Sequence, residues 1–399
     1  MFSELAELPP DPILGLTKLF VDDKRSKKID LGVGVFRTAD NRTPVLDSVK
    51  AGEALVMQKE ATKSYTPADG APGFADSVIS LVFGPDHDAV RAGRVTAIQT
   101  PGGCGALRVG GDLLKRTNAK SIVAGEPTWP NHKPLLAAAG HQLRMIPYYD
   151  GTSASVNFEG FLGELQKLGA DDVLLIHGAC HNPTGADLRR DQIDAVVDVA
   201  AKRGFLPFVD IAYHGFANGL DEDAYIVREM ARRLPELLVS YSCSKNFGLY
   251  RERTGALIAV GETAQRANAA RSQAINIARG SYSLPPAHGG AIVAEILQSP
   301  ELAAQWRAEA DAMRRAIRES RRLLVRTSAE MQMGDKLAYI EKQFGMFSLL
   351  PISEQQVLQL REKHGVYAAG SGRINLCGVN LGNVEHLCEA LRDVFGAGT

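Results

Sequence analysis

Between residues 95 and 260 short apolar runs alternate with stretches of helical periodicity, and this alternation limits the available folds more than any other feature. The runs are Asp172–His177 (DVLLIH), 205–210 (FLPFVD), Leu237–Ser242 (LLVSYS) and 255–260 (GALIAV). Each is short, continuously apolar and bounded by polar residues, the pattern of a strand buried on both faces. Most of the gaps have room for a crossover helix. The expected architecture is therefore α/β, a mostly parallel sheet covered by helices on both faces.

In such sheets ligands bind in the crevice beyond the carboxyl ends of the strands, so the residues that follow each run matter most. Lys245 stands just past Leu237–Ser242, among Ser242, Ser244 and Arg253. Two hydroxyls and a guanidinium can hold a phosphate. An amine beside such a cradle suggests pyridoxal phosphate carried covalently on the lysine. The plainer alternative is a surface lysine and a solvated arginine. Gln99-Thr100-Pro101-Gly102-Gly103-Cys104-Gly105 runs into a helical pattern. It reads either as a tight turn or as a phosphate site built from backbone N–H groups and a helix N-terminus.

Asn182 precedes Pro183 and is held out of the α region, so its loop can present the amide to a ligand oxygen. His177 and His181 have the i, i+4 spacing of metal ligands on a helix. Pro183 and Gly185 make the segment a loop, however, and no carboxylate completes the set; no metal is expected, and the histidines read as core or supporting residues. Asp210 ends a third run and, if buried, needs a cation such as a protonated pyridine nitrogen. Tyr213 would then reach the ring's phenolic oxygen; the alternative is that Asp210 caps the next helix. The amine, carboxylate, amide and phosphate nest together match different edges of one cofactor.

Bulk properties narrow the remaining classes. Lys plus Arg, at 45, nearly cancel Asp plus Glu, at 46, so net charge gives no general argument for nucleic acid or an anionic membrane. No segment approaches the ~18 apolar residues of a membrane span. The acidic, proline-broken start Met1-Phe2-Ser3-Glu4-Leu5-Ala6-Glu7-Leu8-Pro9-Pro10 lacks the features of a secretory signal, and a cytoplasmic location is expected. Cys104, Cys180, Cys243, Cys377 and Cys388 have no metal spacing and are expected as free thiols.

The spacing of Trp306, Ala310, Met313, Ile317 and Leu324 predicts a long amphipathic helix over 300–326. Its arginines Arg314, Arg315, Arg318, Arg321, Arg322 and Arg326, interleaved with Glu309, Asp311 and Glu319, are expected on a solvated face. Strands are expected at 345–350 and 372–376 in a mixed tail. The expected division is 1–44 as N-terminal arm and part of a small α+β domain, 45–312 as the large domain, and 313–399 as the rest of the small one.

Six motifs run in order over nearly the whole chain. They are Asp30-Leu31-Gly32-Val33-Gly34-Val35, Thr128-Trp129-Pro130-Asn131-His132, His181-Asn182-Pro183-Thr184-Gly185, Asp210-Ile211-Ala212-Tyr213, the segment from Ser244-Lys245-Asn246-Phe247 to Arg253, and Ser371-Gly372-Arg373-Ile374-Asn375. In these the chain resembles the class I pyridoxal-phosphate-dependent aminotransferases of the aspartate and aromatic subgroup. The resemblance implies fold type I, cofactor attachment at Lys245, Asp210 on the pyridinium nitrogen with His132 behind it, Tyr213 and Asn182 at the phenolic oxygen, and Trp129 stacked on the ring. It implies phosphate binding by Gly103, Cys104, Ser242, Ser244 and Arg253, joined by Tyr65 from a second subunit of a homodimer.

For the substrate the resemblance implies an α-carboxylate clamp of Arg373, Asn182 and the Gly34 backbone, with Trp129 alongside. Arg279 would reach across the dimer to a distal carboxylate. Amino transfer from an L-amino acid to a 2-oxo acid follows, by ping-pong kinetics. Two residues depart from the aspartate enzymes: Cys104 replaces a usual hydroxyl, and Leu284 replaces a small polar residue near the distal end of the substrate. Aspartate is the expected donor, with 2-oxoglutarate, oxaloacetate or glyoxylate as acceptor. Aromatic amino acids are the alternative, and glutamate is also open as a substrate. Another pyridoxal-phosphate reaction, such as β-elimination or decarboxylation, or a non-catalytic amino-acid-binding regulator, is the more distant reading.

Overall fold

The computed structural model describes residues 2–8 and 12–396; Met1, Pro9 and Pro10 of the acidic start, with Asp11 and residues 397–399, lie outside the described residues. The chain divides into two compact units, Pro44–Arg315 and a second made of Met1–Thr43 with Ala316–Thr399. Among the described residues no helix is long and apolar enough to cross a membrane.

The larger unit is built on a seven-stranded sheet. Its spatial order is Val95–Pro101, Thr254–Val260, Leu237–Ser242, Leu206–Ile211, Asp172–His177, Ser121–Glu126 and Leu143–Pro147. All neighbouring pairs are parallel except those of Thr254–Val260, which runs antiparallel to both of its neighbours. The reason is the link that precedes it. Residues 243–253 contain no helix, and a parallel return needs a crossover of about a dozen residues or more.

The central strands are apolar on both faces because helices cover both. On one of them the helix Gly102–Leu114 brings Leu107, Val109 and Leu113 into a cluster with Ile98, Ile122, Leu175, Phe208 and Leu257, joined by Ile277 of Ala264–Ser281. The helix lies close to the sheet: a Cβ on Gly110 would sit 2.5 Å from Phe208 Cζ.

The smaller unit pairs Ile29–Asp30 with Val366–Tyr367 in parallel, and Phe347–Leu349 with Arg373–Asn375 in antiparallel register. Its core gathers Leu31, Leu324, Leu360, Val366, Ile374, Leu387 and Leu391. The predicted long helix spans Pro300–Glu330, with Trp306, Ala310, Met313, Ile317 and Leu324 all buried.

One of its arginines is not on a solvated face. Arg321 is 1% exposed. Its guanidinium donates to the carbonyls of Ile340, Phe344, Gly345 and Phe347 and to the Ser348 hydroxyl, which in turn donates to Gln343 Oε1. A cluster of backbone acceptors from 340–347 satisfies the donors, so burial is tolerated. Arg321→Met keeps the volume but strands these carbonyls. The expected loss is about 3 kcal/mol or more in urea denaturation followed by circular dichroism, and an unchanged midpoint would contradict the role assigned to this network.

Candidate active site

The parallel strands place their carboxyl ends along one edge of the sheet, and the strand register shows which residues meet there. His177 is level with Asp210, Ile211 with Tyr241, and Ser242 with Gly255. Because Thr254–Val260 is reversed, its first residue comes to this same edge opposite Pro101, bringing Arg253 to the start of the Gly102–Leu114 helix. A parallel strand would have carried Arg253 to the far edge.

At this edge the glycine turn forms an anion cradle. Gly102 has φ +68°, and a Cβ there would lie 2.7 Å from Arg253 Nη2, so the space between turn and guanidinium depends on glycine. A Cβ on Gly255 would meet the Gly102 carbonyl carbon at 2.5 Å, which is how strand and turn approach so closely. Ser242 and Ser244 lie beside it: Ser242 Oγ accepts the Ser244 N–H, and Arg253 Nη1 donates to Ser244 Oγ at 3.3 Å. Gly103 and Cys104 are in the first turn of the helix, where N–H groups and the dipole favour an anion.

Asp210 lies within its strand and is not the cap of the next helix, whose N-cap is Gly219. Burial pushes its carboxyl up, but the hydrogen bond and charge of His132, aided by His177, outweigh this and hold it below the usual carboxylate range. A buried anion at this position suits a cationic ring nitrogen. His132 Nε2 is 3.2 Å from Asp210 Oδ2, and its Nδ1 is 2.8 Å from Thr128 Oγ1.

Behind it stands His177, pushed down to about 3 by burial and by His132, followed by His181 stacked on Tyr148. The donor atoms of His132, His177 and Asp210 lie within 4.8 Å of one another, a spacing that metal ligands also show. Both nitrogens of His132 already have partners, so the grouping works as a support for Asp210.

Lys245 Nζ lies 4.9 Å from the Tyr213 ring centroid. Asn182 Nδ2 donates toward Tyr213 Oη at 3.4 Å. The Lys245 turn is fastened from behind: Trp306 Nε1 donates to the Asn246 carbonyl at 2.9 Å and stacks on Phe247 at 4.3 Å between centroids. Trp129 is half-buried, edge-on to His132. The arrangement offers an amine, a buried anion, two groups for a ring oxygen and a phosphate cradle. Of two further groups expected at the site, Tyr65 is 92% exposed in this single chain, and Arg279, also exposed, donates to Ser283 Oγ at 2.5 Å.

In the smaller unit Arg373 is buried, its Nη2 donating to the Gly32 carbonyl at 2.8 Å and its guanidinium lying 4.3 Å from the Phe347 ring centroid. A Cβ on Gly34 would come within 2.9 Å of that ring, and Asn375 Nδ2 holds the carbonyls of Val33 and Val35. Phe347 as the platform for Arg373 was not among the residues singled out from sequence. Its only signal was the apolar run at 345–350.

Residues 26–391 match the family model for aminotransferase class I and II. The chain belongs to that family. It is an enzyme that transfers amino groups, in a family of pyridoxal-phosphate enzymes. It is 44% identical to the aspartate aminotransferase of Salmonella typhi, over 98% of this chain and 99% of the relative. It is 42% identical to the aromatic-amino-acid aminotransferase of Pseudomonas aeruginosa, over 98% of each. Among solved structures it is similar to the aromatic-amino-acid aminotransferase of Burkholderia pseudomallei covalently bound to pyridoxal phosphate, with a TM-score of 0.94, 38% identity and 99% of each chain covered. The expected fold type I architecture and aminotransferase class both hold.

Proposed function

We propose that this aminotransferase uses pyridoxal phosphate on Lys245 to move the amino group of aspartate to a 2-oxo acid. The observation that carries this reading is the meeting of Lys245, Asp210, Tyr213 and Asn182 at one sheet edge beside the Gly102 and Arg253 cradle. The residues fit the cofactor. Gly103, Cys104, Ser242, Ser244 and Arg253 would hold the phosphate, Asp210 would pair with the ring nitrogen, Tyr213 and Asn182 would donate to the phenolic oxygen, and Trp129 would cover a ring face. Pyridoxal phosphate, when bound, supplies an electron sink that acidifies the substrate Cα–H.

Asp210, a buried carboxyl held below its usual range, would keep the ring nitrogen protonated. Lys245 Nζ would take the proton from substrate Cα and return it on the cofactor side of the reacting bond, a role that requires a neutral amine. Arg373 would bind the α-carboxylate through its planar fork, with the Gly34 backbone alongside. Arg279 binds the distal carboxylate. The amino group would stay with the cofactor when the first oxo acid leaves these arginines and would pass to the second oxo acid they bind, which makes the kinetics ping-pong. We further propose a homodimer in which Tyr65 and Arg279 serve the neighbouring subunit; a tyrosine 92% exposed in the single chain offers the surface such an interface would cover.

A second reading, an aromatic amino-acid donor, is favoured by Leu284, which makes the distal end of the substrate site more apolar than a small polar residue would. The names of the relatives divide the same way. A panel of aspartate, glutamate, phenylalanine and tyrosine against 2-oxoglutarate, oxaloacetate and glyoxylate separates them. Aspartate should give the highest kcat/KM; an excess of phenylalanine or tyrosine over aspartate would transfer the assignment to the second reading, and no exchange with any donor would sink both.

A further inference from the structure

Two carboxylates outside the set assigned above grip the two loops that carry Asn182 and Tyr213. Asp187 Oδ2 accepts the N–H of Cys180 at 2.7 Å and its Oδ1 that of His181 at 2.8 Å. These are the N–H groups of the two residues immediately before Asn182. Cys180 has φ +55°, a left-handed backbone that costs a non-glycine residue free energy, and two charge-assisted hydrogen bonds from one carboxylate offset that cost. The fit is local and bidentate.

Asp223 does the same for the neighbouring loop. Its Oδ2 accepts the N–H groups of Gly215 and Ala217 at 2.9 and 3.0 Å, and its Oδ1 that of Asn218 at 2.8 Å, closing the turn that follows Tyr213. The loops are tied to each other at the positions these carboxylates hold. Cys180 Sγ donates to the Tyr213 carbonyl at 3.8 Å, and Asn182 Nδ2 lies 3.4 Å from Tyr213 Oη. The carboxylates also interact electrostatically: burial, with the charge of Asp187 adding to it, pushes Asp223 up to about 6 against the pull of its backbone donors.

We propose that Asp187 and Asp223 are positioning residues that hold Asn182 and Tyr213 in register at the phenolic oxygen of the cofactor, and so set the cofactor's electronic state without touching it. This rests on the assignment of Asn182 and Tyr213 to that oxygen. Hydrogen bonds weaken steeply with misalignment, so a small shift of either loop removes a donor. Donors at an anionic oxygen favour the charged form, and their loss raises the pH at which the bound chromophore titrates.

The test is the pH titration of the visible absorption band of the holoenzyme, with the cofactor dissociation constant and thermal melting measured alongside. In Asp187→Asn an amide N–H faces one of the two peptide donors, and the band midpoint should rise by about one pH unit, a shift that a hydrogen bond to a charged group can produce. kcat should fall about tenfold with KM values within about twofold, the split expected when a reacting-state interaction is lost. Asp223→Asn, whose amide oxygen at the Oδ2 position still accepts the N–H groups of Gly215 and Ala217, should shift the midpoint in the same direction by less.

In the Asn182→Ala background Asp187→Asn should add little, since its route to the oxygen is already cut. A lower melting temperature with an unmoved midpoint in both variants, or full additivity with Asn182→Ala, would overturn the proposal and show these carboxylates to be structural. Failure of the cofactor assignment is a different result: wild-type protein that gains no visible band on adding pyridoxal phosphate.

Discussion

Lys245→Ala should reduce transamination by at least about 10⁴-fold, the upper end of what one general base supplies, because the same substitution also removes the proposed covalent anchor. The loss is chemical. Lys245 follows the buried strand Leu237–Ser242, and the turn that carries it is fixed by its neighbours: Asn246 through Trp306 Nε1, and Phe247 by stacking on the Trp306 ring. None of these contacts uses the lysine side chain, so the variant should fold with a stability within about 1 kcal/mol of wild type. Single-turnover consumption of aspartate, with circular dichroism as the control for folding, separates the two effects. Lys245→Arg should be equally inactive, since a guanidinium stays charged at working pH and cannot accept the proton.

The second large effect is selective. Arg279→Ala should lower kcat/KM for aspartate by about 10²- to 10³-fold, corresponding to the roughly 2–5 kcal/mol lost when one member of a buried charge pair is removed. Phenylalanine has no distal carboxylate and should change by no more than a few fold. Arg373→Ala should instead impair both donors, because every amino acid carries the α-carboxylate that this arginine is proposed to bind. Equal losses for aspartate and phenylalanine in Arg279→Ala would show that Arg279 does not read the distal group. Steady-state kinetics with both donors on both variants checks the whole pattern.

Much of this organisation is legible in sequence because it is local. The apolar runs of the central strands declare burial on both faces, and the spacing of Trp306, Ala310, Met313, Ile317 and Leu324 declares a helix and its buried side. Lys245, Asp210 and Asn182 follow or end strands, where an α/β sheet puts its ligands. What escapes is non-local. Strand direction is not written in hydrophobicity, so the reversal of Thr254–Val260, and with it the reason Arg253 reaches the cradle, emerges only from the register. Arg321 reads as a solvated charge from its neighbours in sequence, whereas its acceptors come from residues 340–348. Phe347 under Arg373 depends likewise on an antiparallel pairing that brings the two strands together.

Asp187 is an intermediate case. It lies close in sequence to the loop it grips, but a carboxylate after Thr184-Gly185-Ala186 gives no sign that two peptide N–H groups converge on it. Polar residues report their partners only when the fold supplies them.

The central claim is that Lys245 carries the cofactor. Loading the purified chain with pyridoxal phosphate, reducing it with borohydride and mapping the peptides by mass spectrometry tests this directly. The predicted result is one modified residue, Lys245, with the added mass of reduced cofactor. Modification of a different lysine, or of none, would contradict the account.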